Sequence, residues 1–190
     1  MIVAFSTSSP LTSVALISPE GEVLASGERE SPGAASGASL GLLHEMLEAT
    51  GLDLSPTTLF VSDLGPGSFI GARVCVTLAK TLAYASEKPS SGADAFDLIS
   101  PVQTVAIPSR KGEYFVRVPG NEPVRTAELP REVVGYGAAF ETPMMPHAKR
   151  FAVLLPKLRP TEPELLLPEY LLEPSISVPK KPYGLEGRVG

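Results

Sequence analysis

The chain opens on an apolar run. Ile2-Val3-Ala4-Phe5 predicts a strand from the second residue onward, and Ser6-Thr7-Ser8-Ser9-Pro10 ends it with small hydroxyl residues and a proline. Ser13 to Ser18 and Val23 to Glu28 predict two more strands, separated by the turn Pro19-Glu20-Gly21-Glu22. Three strands joined by short turns make an antiparallel meander. A loop of small residues over 31–37 leads into Leu40 to Ala49, where Leu40, Leu43 and Leu47 recur at helical spacing and Leu42 and Met46 form a second stripe. Gly51 is placed to stop this helix. Leu59-Phe60-Val61-Ser62 predicts a fourth strand, and Phe69 to Ala85 a second helix whose only charges are Arg73 and Lys80.

Both helices are apolar over more than half their circumference. In the second, Ile70, Val74, Leu78 and Leu82 are expected to face the sheet, leaving Ala72, Val76, Ala79 and Ala83 as a small-residue stripe that another helix can approach closely. One reading is packing between the two helices themselves. The other is a patch that buries in a partner, formed by Leu40, Leu43, Met46 and Leu47 with Ala72, Val76, Ala79 and Ala83. Lys88 to Gly92 reads as a turn or weak strand and Asp94 to Ser100 as a short helix.

Further on, alternation predicts strands at Val102 to Ile107, Tyr114 to Val118 and Glu132 to Gly137, and a short helix at His147 to Leu155. Prolines then recur from Pro156 to Pro182, and each removes an amide and blocks helix continuation. The expected organisation is a first lobe over 1–100, a smaller second lobe over 101–155 and a proline-rich extended tail over 156–190.

Composition narrows the function classes. The 190 residues are 43% hydrophobic and 19% charged, enough apolar material for a packed core. A net charge of −5 argues against a broadly basic nucleic-acid surface, so contact with RNA is expected to run through a partner. The single cysteine, Cys75, excludes an internal disulfide and reads as a buried thiol; His44 and His147 are too isolated to mark zinc. No stretch reaches the ~18 apolar residues of a membrane span, and no basic leader precedes the first strand, so the expectation is a cytoplasmic protein.

The candidate chemistry centres on the turn Gly65-Pro66-Gly67-Ser68-Phe69-Ile70-Gly71-Ala72-Arg73, between a strand and a helix. Ser68 stands at the N-cap, and free amides at a helix start suit an anion. Ser6, Thr7, Gly65, Gly67, Ser68 and Arg73 are the residues that would touch a phosphate or nucleotide. The competing reading is a tight turn that binds nothing, since no Lys-Ser/Thr pair follows the glycines as in a P-loop. No set of catalytic side chains and no metal ligands emerge.

The same residues carry a family resemblance. GPGSFIGARVCVTLAKTLA, from Gly65 to Ala83, resembles the signature of the bacterial TsaB (YeaZ) family, and the strand order resembles the half-domain of the actin/heat-shock-70 fold. That implies an α/β, ribonuclease H-like mixed sheet with helices in two lobes, the second reduced. It implies a non-catalytic subunit for forming N6-threonylcarbamoyladenosine at position 37 of tRNA. The expected partners are a TsaD-like transferase, paired through the first two helices, and a TsaE-like ATPase; a homodimer through the same patch is the alternative without TsaD. A nucleotide, ATP or ADP, held weakly at the complex interface is the one cofactor the resemblance admits. Two departures stand out. Nucleotide-binding members of the fold end the first strand in an aspartate where this chain has Ser6, and the family's His-Ser-Glu run falls at Ala35-Ser36-Gly37. The rival readings are a stand-alone actin-fold ATPase or kinase, which needs an acidic metal ligand near Ser6, and a scaffold for another partner.

Overall fold

The computed structural model describes residues 1–31, 33–110 and 112–171. Strands β1 (Ile2–Ser6), β2 (Leu11–Ile17) and β3 (Val23–Glu30) form the expected antiparallel meander. After helix α1 (Ala35–Thr50), β4 (Leu59–Asp63) pairs parallel with β1. Helix α2 (Phe69–Ala85) leads to β5 (Ser90–Ala93), parallel to β4, so the first sheet runs β3-β2-β1-β4-β5. The segment read as a turn or weak strand is thus an edge strand.

Both faces of this sheet are covered, which is why β1 reads as an unbroken apolar run rather than an alternating one. Val3, Phe5, Val14, Leu16 and Phe60 meet α1 and α2, while Ile2, Ala4, Ala15, Ile17, Leu59 and Val61 point the other way. That second face is closed by Leu98 of α3 (Ala95–Ile99) and by Ala148, Phe151, Leu154 and Leu158. The segment from Ala148 to Lys157 is a 3-10 turn, a four-residue helix α4 (Phe151–Leu154) and a second 3-10 turn, not one helix. It returns to the first sheet from beyond the second lobe.

The second lobe is built on a smaller sheet ordered β8-β7-β6-β9, from β6 (Val105–Pro108), β7 (Tyr114–Arg117), β8 (Val124–Thr126) and β9 (Val134–Gly135). Strand β8 carries no alternating signal and was not expected. Short α3 joins the lobes: Leu98 enters the first core, while Ala95, Phe96 and Ile99 pack with Val105, Ile107, Phe115 and Tyr136 of the second.

The tail departs from a free extended chain. Thr161 pairs with Ser90 at the sheet edge, and Ser91 Oγ donates to Arg159 O at 3.0 Å. Leu166, just after the 3-10 turn Pro163–Leu165, is buried in the core under α2, while its neighbours Leu165 and Leu167 stand exposed. Beyond Leu171 the expected tail lies outside the described residues.

Candidate functional site

Four segments meet at the mouth between the lobes: the Ser6–Ser9 turn after β1, the glycine turn before α2, the N-terminus of α3 and the end of the tail. A cleft of about 380 Å³ opens beside the glycine turn, between it, the tail and the second sheet, lined by Pro66, Ser68, Phe69, Phe115, Glu169 and Tyr170 among others. Ser68 caps α2 as expected, its Oγ accepting from Gly71 N at 3.1 Å. The Gly65–Pro66 peptide is cis.

The residue that organises this region is Asp63, which sequence reasoning missed. It stands at the end of β4, and the parallel register Phe5↔Ser62 sets it beside Ser6. Its carboxylate is fully buried. Oδ2 accepts from Ser6 Oγ at 2.8 Å, Ser8 Oγ at 2.6 Å and Ser8 N at 3.3 Å, and Oδ1 accepts from Gly65 N at 2.8 Å. Burial pushes its pKa up, and the donors from Ser8, Gly65 and Ser6 pull the other way. The available signal was the β1–β4 pairing itself, which places two strand ends, Ser6-x-Ser8 and Asp63, side by side.

Most of the residues expected to touch a phosphate have partners inside the chain. Ser6 spends its hydroxyl on Asp63. Thr7 Oγ1 donates to Gly71 O at 2.6 Å, and Ser68 N donates to Ser8 O at 2.6 Å. Gly65 directs its amide to Asp63. Gly67 and Gly71 serve close approach rather than a ligand: a methyl at Gly67 would overlap the Ser8 carbonyl oxygen and lie 3.0 Å from its carbon, and one at Gly71 would overlap that of Thr7 and lie 2.9 Å from its carbon. Arg73 turns outward, stacking 3.9 Å over the Phe69 ring and donating from Nε to Tyr170 Oη at 2.8 Å. Phe69 and Tyr170 complete this contact with ring centroids 5.2 Å apart.

Most of the expected partner patch lies inside the chain. Ala72, Val76, Ala79 and Ala83 are buried in the chain's own core, together with Leu43 and Met46; Leu47 is partly buried against the same core, and only Leu40, at 48%, is well exposed. Small side chains face inward because they let α2 settle closely on the sheet over Phe5 and Phe60. Of the residues expected to face the sheet, Ile70 turns outward at 71% exposure, Val74 and Leu78 are half-buried and Leu82 packs against the core; Tyr84 is 70% exposed.

Cys75 is the buried thiol expected, its Sγ donating to Asp63 O at 2.9 Å, with burial pushing its pKa up to about 12. His147 is held by two bonds: Nδ1 accepts from Lys149 N at 3.0 Å, which leaves Nε2 to carry the proton toward Glu28 Oε2 at 2.8 Å. Burial and Lys149 lower its pKa against Glu28. On the other side of α3, Arg117 spans Asp94 at 3.0 Å and Asp97 at 2.6 Å and lies 5.0 Å from the centre of the Phe96 ring. Among the described residues no cluster of His, Cys, Asp and Glu suits a metal ion, and no helix is long and apolar enough to cross a membrane.

Comparison with known proteins agrees with this geometry. A crystal structure titled an uncharacterized protein with similarity to peptidase YeaZ, from Pseudomonas aeruginosa, superposes with a TM-score of 0.71 at 22% identity, covering 90% of this chain and 99% of the other. A structure of YeaZ from Pseudomonas aeruginosa gives 0.69 at 23% identity with the same coverage. The chain has the YeaZ fold. The TsaB (YeaZ) resemblance read from Gly65 to Ala83 is borne out, as is the actin-like two-lobed class. The family described as TsaD, tRNA N6-adenosine threonylcarbamoyltransferase, matches residues 36–99, which run from α1 through α3. No curated protein sequence matches the chain.

Proposed function

We propose that this chain is a non-catalytic TsaB-type subunit that binds and activates a TsaD-type transferase in the formation of N6-threonylcarbamoyladenosine on tRNA. It works in the cytoplasm, reaches tRNA only through its partner, and shares that partner with a TsaE-type ATPase. The observation that carries the reading is the outward face of α1 and α2, where Leu40, Ile70 and Tyr84 stand exposed among polar residues such as His44, Glu45, Arg73 and Thr77, within the segment that matches the TsaD family. A partner built on the same two helices would bury that face in a helical bundle. The YeaZ fold over 90% of the chain adds support.

The test is size-exclusion chromatography with light scattering, on the chain alone and mixed with the TsaD-type transferase of the same organism. A heterocomplex that Ile70→Asp abolishes, with the variant's circular dichroism unchanged, supports the reading. Ala79 is unsuitable for this purpose, since it is fully buried and a large charged replacement would unfold the chain. A chain that ignores the transferase, or a complex indifferent to Ile70→Asp, refutes the proposed interface.

A further inference from the structure

Actin-like ATPases hold a nucleotide between their lobes by presenting hydroxyls and amides to phosphate and a carboxylate to the metal. The residues here do not fit that group, and the reason lies in where the carboxylate has gone. It is missing from the end of β1, where Ser6 stands, and present at the end of the adjacent parallel strand, as Asp63. From there it points back into the two turns. We infer that Asp63 is an internal anion: its side chain takes the donors a bound phosphate would need, and it locks the Ser6–Ser9 turn to the glycine turn so that no nucleotide enters.

Most polar groups of the two turns are already engaged inside the chain. The hydroxyls of Ser6 and Ser8 and the amides of Ser8 and Gly65 all converge on this one carboxylate. The Ser68 amide at the start of α2 goes to Ser8 O, and Ser68 Oγ is occupied by Gly71 N. The Thr7 hydroxyl is spent on Gly71 O. What the first turn offers the glycine turn is the carbonyl oxygens of Thr7 and Ser8, packed against Gly71 and Gly67. Those oxygens are negative ends of dipoles and repel phosphate. A metal fares no better, because Asp63 has zero exposure and its oxygens already accept four bonds. Burial works against the charged form of Asp63, and the donors from Ser8, Gly65 and Ser6 oppose that rise as they would for a bound anion. The inference stands whether or not the chain pairs with a transferase.

Calorimetry and thermal shift on the full chain test it, with Mg-ATP, Mg-ADP and inorganic phosphate as probes. No saturable heat and no specific rise in Tm is expected up to millimolar concentration. Asp63→Ala should lower the Tm and create a vacancy ringed by donors. At constant ionic strength, formate or phosphate should then restore part of that loss saturably, and chloride should not; the wild type should respond to all three alike. Ser6→Asp, which returns the acid to β1, should destabilise by setting two carboxylates side by side. Saturable Mg-ATP binding to the wild type would overturn the inference, and this arm requires no variant to fold. So would an Asp63→Ala protein as stable as the wild type, or a Ser6→Asp protein that gains stability with magnesium.

Discussion

Replacing Gly71 by alanine should destabilise the protein, although the same change inside a helix ordinarily does the reverse. Gly71 lies in the first turn of α2, and propensity alone favours alanine by about 1 kcal/mol. The new methyl, however, would overlap the carbonyl oxygen of Thr7. The two backbones must part by roughly 1 Å. That movement strains a turn pinned through Ser6 and Ser8 to Asp63, and it stretches the Thr7–Gly71 hydrogen bond. Overpacking costs about 1–3 kcal/mol and the lost buried bond about 1 more. Against the propensity gain, the net loss is about 2 kcal/mol. Gly41 in α1 supplies the control: a methyl there meets only Arg29 Nη1, at 3.7 Å, an ordinary contact, so Gly41→Ala should gain about 0.5–1 kcal/mol. Urea unfolding followed by far-ultraviolet circular dichroism reads both. With a slope of about 2 kcal/mol/M, the Gly71→Ala midpoint falls by about 1 M while Gly41→Ala rises. A Gly71→Ala midpoint at or above the wild type would show that the turn yields freely, and the argument for a locked joint would fail.

Three further outcomes follow from the buried groups. Cys75, with its thiol pushed up to about 12 and no exposure, should resist a disulfide reagent at pH 8 and react only as fast as the chain unfolds; rapid labelling of the folded protein would contradict its placement. His147 has a folded pKa below its ordinary 6.5, so its contribution is full above that value and is lost as pH falls through the folded pKa. His147→Asn keeps an acceptor for the Lys149 amide and cannot titrate, so the wild-type-minus-variant stability should fall between pH 8 and pH 5, measured by urea midpoints; a flat difference would refute it. Arg117→Ala should cost about 3 kcal/mol at pH 7, because Asp94 and Asp97 lose the cation they share. Burial already raises the Asp94 pKa above its ordinary 3.8, and losing Arg117 raises it further, so the deficit should shrink as pH falls through that raised value and Asp94 protonates; a deficit independent of pH would locate the cost in packing on Phe96 instead.

What the sequence disclosed and what it hid divide along one physical line. Local chemistry was legible: the meander and its turns, Ser68 as a cap, the extent of α2, and a short helix beginning near Asp94. Each depends on residues within a turn of one another. The choice of face on α2 was not legible, because apolar residues surround that helix and periodicity cannot rank one stripe over another. Size decided it. Ala72, Cys75, Ala79 and Ala83 fit against a sheet carrying Phe5 and Phe60, whereas Ile70 and Tyr84 would hold the helix off it. The tail misled for a similar reason, since its prolines report on helix continuation and say nothing about Leu166 reaching the core. Asp63 was the costliest omission. A carboxylate after a short apolar strand looks like the first polar residue of a turn, and only pairing β1 with β4 in parallel turns it into the partner of Ser6 and Ser8. The rule that would have found it asks where a missing charge has gone before concluding that it is lost. In a parallel sheet the neighbouring strand end lies within reach, and a serine standing where the fold calls for an aspartate directs attention to the next strand.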